Sequence, residues 1–167
     1  HSPLIQAGVI HAQFETIHPF TDGNGRVGRA LIHTVLARRG LTSRALLPIS
    51  LVLATLSDHY IDGLTSFRHD APAGSAEASA AASEWLRTFV GAASVAVEQS
   101  EVLVGRIDEL RQSWTDRLTA HRIAIGLRSA PRADSAVARL LASLPEAPVI
   151  TATTLARTLG VSYPAAN

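Results

Sequence analysis

Residues 18–29 read HPFTDGNGRVGR and bring together one imidazole, one carboxylate, one amide, three glycines and two guanidinium groups. Gly23, Gly25 and Gly28 follow the G-x-G-x-x-G spacing of a dinucleotide-binding turn, but such a turn must follow a strand. The residues before it have a helical period instead. Such a turn also calls for an acidic residue about 20 positions on, and residues 41–57 contain none. A kinase-type loop fails for another reason. All 15 basic residues are arginine, so neither a phosphate-binding lysine nor a Schiff-base lysine is available.

A different phosphate chemistry fits the same residues. Glycines at 23 and 25 let the backbone approach a polyphosphate and turn successive N–H groups inward as an anion nest. A helix that starts here adds its free N–H groups and the positive end of its dipole. Arg26 and Arg29 stand on adjacent sides of the first helical turn and offer bidentate forks to phosphate oxygens. Asp22 is placed to hold the Mg²⁺ that accompanies polyphosphate. Asn24 either donates to phosphate or fixes the loop, and Phe20 is expected to anchor the loop in the core. His18 lies four residues before Asp22. A neutral imidazole there is a competent general base, a role that contributes about 10²–10⁴ in rate.

Other polar pairs read more plainly. Glu15 and His18 have the E-x-x-H spacing of di-iron bundles, yet no second copy occurs. His11, His33, His59, His69 and His121 show no mutual metal spacing and read as core-edge or surface residues. Arg38 and Arg39 suit a helix C-terminus, and Asp58 and Asp62 a solvated face.

The elements that must position this loop are helical. Ala7, Ile10, Phe14 and Ile17 mark a first helix with Pro3 in its opening turn. Val27, Ala30, Leu31, Thr34 and Val35 mark a second, closed by Arg38, Arg39 and Gly40. After Pro48, ISLVLATL and SDHYIDGLTSFR read as one or two short helices. Residues 70–83 form a loop merging into a helix. From about Glu84 to Arg122 one long helix has Trp85, Phe89, Leu103, Ile107, Leu110, Trp114 and Leu118 as its expected core positions. Beyond Pro131 a helix over Val137–Leu144 ends at Pro145. Thr151, an L-A-x-x-L run, the Gly160 turn and Ser162 then resemble the start of a helix-turn-helix.

HPFTDGNGRVGR resembles the signature of the Fic family, H-x-F-x-[DE]-G-N-G-R-x-x-R, at every fixed position. The flanking IHAQFETI and VGRALIHTVLARRGL resemble that family's helices through about residue 122, and the tail resembles a winged-helix module. The resemblance implies an all-α Fic core over 1–122, without the family's N-terminal helices and flap, then a linker and partial winged helix-turn-helix over 123–167. It also implies protein AMPylation, the transfer of AMP from ATP to a Ser, Thr or Tyr hydroxyl of a target protein or of the chain itself. In that scheme His18 is the base and Asp22 the Mg²⁺ ligand. Gly23, Asn24 and Gly25 bind the α- and β-phosphates, Arg26 the outer phosphates and Arg29 the γ-phosphate. Gly25 stands where Doc kinases have lysine, which favours nucleotidyl transfer. Tyr60 is either an aromatic near adenine or a core residue. The inhibitory [ST]-x-x-x-E-[GN] helix of many relatives, whose glutamate would pair with Arg29, does not occur after the motif.

Two rival readings stay open: a DNA-binding regulator whose Fic core senses nucleotide, and a de-AMPylating hydrolase. Partners left open are DNA, an antitoxin or self-inhibitory segment, and a second copy in a homodimer. Composition narrows the rest. The chain has 167 residues, 47% hydrophobic and 17% charged, with a net charge of +1, which suits a folded domain rather than a general polyanion trap. Without cysteine, disulfides and thiolate chemistry are excluded. Without methionine, the residues are expected to be part of a longer protein. No signal peptide or membrane span is seen, so a cytoplasmic setting is expected.

Overall fold

The structure, a computed structural model, describes residues 2–42, 45–147 and 149–166, with residues 165 and 166 as backbone only. Its eight described helices, with no strand among the described residues, bear out the all-α expectation. They are α1 (Pro3–Ile17), α2 (Asn24–Arg38), α3 (Ile49–Thr55), α4 (Ser57–Phe67), α5 (Ala76–Ala124), α6 (Ala136–Ser143), α7 (Ala152–Leu159) and α8 (Tyr163–Ala166). The chain forms two compact units, residues 1–101 and 102–167. The change falls inside α5, whose buried side chains end at Ala96.

In the first unit, α1 and α2 form a helical hairpin around the motif loop. Pro3 opens α1, where its missing N–H costs nothing. His18 closes α1 in the left-handed region (φ 49°), its N–H donating to Phe14 O at 2.9 Å. Gly23 (φ 84°) starts α2 from a conformation that suits glycine.

The faces these helices bury differ from the ones expected. On α1 the buried residues are Ala7, Gly8, His11, Ala12 and Glu15, while Ile10 and Ile17 are exposed. On α2 they are Asn24, Gly28, Ile32 and Leu36, while Val27, Ala30 and Thr34 are exposed. Small and polar residues line the seam at the loop end because the two backbones approach closely there. A Cβ on Gly28 would lie 2.2 Å from Glu15 Oε1 and 3.2 Å from His11 Cε1.

Below the seam the core is apolar. Trp85 and Phe89 of α5 are fully buried with Ile32, Leu36 and Ile49, and Val52, Leu53, Ala92, Ala93 and Ala96 belong to the same cluster. Trp85 Nε1 donates to Gly8 O at 2.8 Å, which satisfies the indole and ties α5 to α1.

The second unit buries much less. Leu159 is its one fully buried hydrophobic among the described residues. Ile107, Trp114 and Leu118 are half-buried, but Leu103 and Leu110, expected in the core, are more than half exposed. Ser135 caps α6 and Thr151 caps α7, each accepting from the N–H three residues on. Gly160 (φ 64°) then turns the chain from α7 into α8. A wing is not among the described residues.

Candidate functional site

The loop between α1 and α2 is held by its own side chains. Asn24, only 3% exposed, reaches back across it: Oδ1 accepts the Phe20 N–H at 2.9 Å, and Nδ2 donates to Phe20 O. The anchor is therefore Asn24. Phe20, expected in the core, is 52% exposed and packs at a tilt against Phe14, because its backbone rather than its ring is what the loop grips. Asp22 Oδ1 accepts the Gly23 N–H at 2.7 Å, and Arg26 donates to Asp22 Oδ2 at 3.3 Å.

This leaves a set of donors at the α2 N-terminus. The Val27 N–H is the first to enter the helical ladder, bonding Gly23 O at 3.0 Å. The N–H groups of Asn24, Gly25 and Arg26 precede it and have no intrahelical acceptor. Both arginine heads fold over the loop glycines. A Cβ on Gly25 would sit 3.1 Å from an Arg29 terminal nitrogen, and one on Gly23 would sit 3.4 Å from an Arg26 nitrogen. Backbone donors, helix dipole and two guanidinium groups therefore converge on one small surface, which suits a polyphosphate.

His18 stands at the other end of the loop, exposed, with Nδ1 4.0 Å from Glu15 Oε2. Asp22 is the carboxylate within the loop itself. A single carboxylate fits Mg²⁺, which takes one or two protein carboxylates and fills its octahedron with water and substrate phosphate oxygens. No cluster of three or more His, Cys, Asp or Glu side chains occurs among the described residues.

Beside the loop, Arg29 and Tyr60 help line a cleft of about 380 Å³, with Ser50, Leu51, Leu53, Ala54 and Ser57 as the other walls. Tyr60 also packs on the core: its ring lies 5.9 Å from His11 and 6.0 Å from Trp85 between centroids. Its hydroxyl shares a 3.1 Å hydrogen bond with His11 Nε2. Burial, reinforced by the Glu15 carboxylate, pushes the phenol pKa up to about 12, so it stays neutral. Burial pushes the His11 imidazole below its usual value, outweighing the Gly28 backbone and Glu15.

Three residues escaped the sequence reading as parts of the site. His11 and Glu15 lie one helical turn apart on the buried face of α1, and His11 Nδ1 and Glu15 Oε1 have no hydrogen-bond partner. Arg68 donates from α4's C-terminal end to Glu15 O at 2.8 Å, fixing the last turn of α1. The i, i+4, i+8 series Ala7–His11–Glu15 was a visible signal, masked by the stronger apolar period of Ile10 and Ile17.

The fold and site thus define a helical protein with a histidine at one end of a loop rich in hydrogen-bond donors and a helix N-terminus at the other. Residues 1–36 match the Fic/DOC family. Over 37 residues the chain is 54% identical to a probable protein adenylyltransferase of Aquifex aeolicus (strain VF5), covering 22% of this chain and 12% of that protein. Over 58 residues it is 34% identical to protein adenylyltransferase fic-1 of Caenorhabditis elegans, covering 35% and 10%. Over 60 residues it is 40% identical to a Fido domain-containing protein of Dictyostelium discoideum, covering 36% and 37%. The family match takes in residues 1–36, and the matched segments span only a minor part of those relatives' lengths.

Proposed function

We propose that this protein is a Fic-type nucleotidyltransferase that moves AMP from ATP to a hydroxyl side chain of a protein. The observation that carries this reading is the convergence of the Asn24–Arg26 N–H groups and the Arg26 and Arg29 guanidinium groups on a loop that begins at His18. Those donors bind the triphosphate and stabilise charge that develops on it. Mg²⁺ held by Asp22 would neutralise phosphate charge. Neither the ligand set nor the nucleotide is asked to do more than position and polarise.

His18 removes the proton from the attacking hydroxyl. The oxygen bonds to the α-phosphorus, the bond to the β-phosphate oxygen breaks, pyrophosphate leaves, and the proton resides on the imidazole until it passes to solvent. Gly25 leaves the glycine surface open for Arg29, which supports the orientation in which the α-phosphate faces the base. The cleft beside Arg29 and Tyr60 is apolar enough to take a base ring. No helix among the described residues is long and apolar enough to cross a membrane, and the reading places the reaction in the cytoplasm.

The test uses the full-length protein with Mg²⁺ and ATP labelled on either the α- or the γ-phosphate, beside His18→Ala. Protein-bound label from α-labelled ATP alone, lost in the variant, is the expected result. Label from γ-labelled ATP alone means a kinase. A second reading, DNA-binding regulation, draws on α7, Gly160 and α8. Operator binding by full-length protein, unchanged by His18→Ala and accompanied by no transfer, would select it.

A further inference from the structure

We propose that Glu15 is a positioning residue for His18, holding the imidazole in the tautomer that carries its proton on Nδ1 and leaves Nε2 free to accept one. The proposal rests on the reading of His18 as the base. Glu15 is a charged side chain in a place where charges are rare: it is 6% exposed, on the seam between α1 and α2. Its Oε1 has no hydrogen-bond partner, so it does not serve to satisfy a backbone donor or complete an ion pair with arginine. A buried carboxylate with such poor compensation is destabilising. Oε1 therefore serves no structural purpose in the seam.

The geometry supplies one. His18 stands three positions after Glu15, which brings the two side chains to the same side at the end of α1. His18 ends α1 in the left-handed region (φ 49°, the one positive φ outside glycine among the described residues). Glu15 Oε2 then lies 4.0 Å from His18 Nδ1. That is longer than a hydrogen bond and within ion-pair reach. At this distance the carboxylate favours an N–H directed at it over a lone pair directed at it. It also stabilises the imidazolium that forms when Nε2 takes the proton, the same division of labour as in a Ser-His-Asp triad.

Two further features place this residue, one fixing its main chain and the other leaving room for its side chain. The Arg68 guanidinium fixes the Glu15 carbonyl at 2.8 Å. Gly28 leaves room for the side chain, since any Cβ there would fall 2.2 Å from Oε1. The other ionisable groups near this cluster are His11, Tyr60, Arg29 and Arg68.

The experiment is ¹⁵N NMR of the histidine rings in the full-length protein, with the His18 signals identified by their loss in His18→Ala. Wild type, Glu15→Gln and Glu15→Asp are compared, with kcat and KM for ATP measured on each. The expected wild-type ring is the Nδ1–H form. Glu15→Gln keeps the shape, removes the charge, and lets His18 populate both tautomers. It lowers kcat about tenfold with KM within about twofold, a modest share of what a base supplies. Glu15→Asp restores the Nδ1–H form. Identical His18 tautomers in wild type and a folded Glu15→Gln overturn the proposal, whatever happens to activity. A tautomer shift in a protein that moves no AMP upholds the positioning and instead overturns the assignment of His18 as base.

Discussion

The two compact units of this chain spend their hydrophobic residues differently. Residues 1–101 bury Trp85, Phe89, Ile32, Leu36 and Ile49 completely, and on that dry base they hold a seam of His11, Glu15, Asn24 and Gly28. Residues 102–167 bury Leu159 and leave Leu103, Leu110, Val102 and Val104 largely exposed. The difference shows where a precise site is affordable. A buried, partly unsatisfied histidine and carboxylate are tolerated only where a large apolar cluster compensates. The exposed loop residues His18, Asp22 and Arg26 stay in register because Asn24, Glu15 and Arg68 behind them are fixed.

Breaking the core beneath the site gives the largest effect. Trp85→Ala removes the ring packed between His11, Tyr60 and Phe89 and the hydrogen bond to Gly8 O. It is expected to cost about 3–5 kcal/mol in chemical denaturation and to abolish AMP transfer with it. Gly28→Ala strikes the seam itself. Its methyl must displace Glu15, so a loss of about 1–3 kcal/mol is expected, with kcat falling more than KM for ATP rises. A variant as stable and active as wild type would show that the seam is loose.

A pH titration of stability sharpens the comparison further. His11 is buried with a pKa below its ordinary value, so as pH falls the unfolded chain takes up a proton before the folded one does. Stability is complete above about pH 6.5 and declines below it, by at most about 1.4 kcal/mol per pH unit. His11→Gln should flatten that slope in thermal melts at pH 5 to 7, bounds set by roughly the ordinary histidine range. The smallest effect on the site belongs to the second unit. Leu159→Ala is expected to loosen α7, seen as faster amide exchange there, and to leave AMP transfer unchanged. A matching loss of activity would mean that the two units are coupled.

Much of this was legible in the sequence. Glycine, proline and basic caps placed α1 and α2, and Pro48 and Pro145 marked real boundaries. Gly160 marked the turn after α7 because a left-handed C-cap is a local requirement. The buried faces were less legible. Hydrophobic period assumes that buried means apolar, and at the loop end the two helices meet through Gly28, His11, Ala12 and Glu15 instead. Phe20 was misplaced for the same reason, since a phenylalanine beside a loop reads as an anchor while Asn24 does that work through hydrogen bonds. On α5 the stripe through Leu103 and Leu110 has helical spacing, but spacing alone cannot say whether a partner surface lies against it.

The most direct test of the central claim is the intact mass of full-length protein and acceptor after incubation with Mg²⁺ and ATP. The loop is read as an AMP-transfer site with His18 as base. A mass gain of one AMP, absent from His18→Ala and reduced in Arg29→Ala, is the predicted result. A gain of one phosphate, or an AMP gain that survives His18→Ala undiminished, would contradict it.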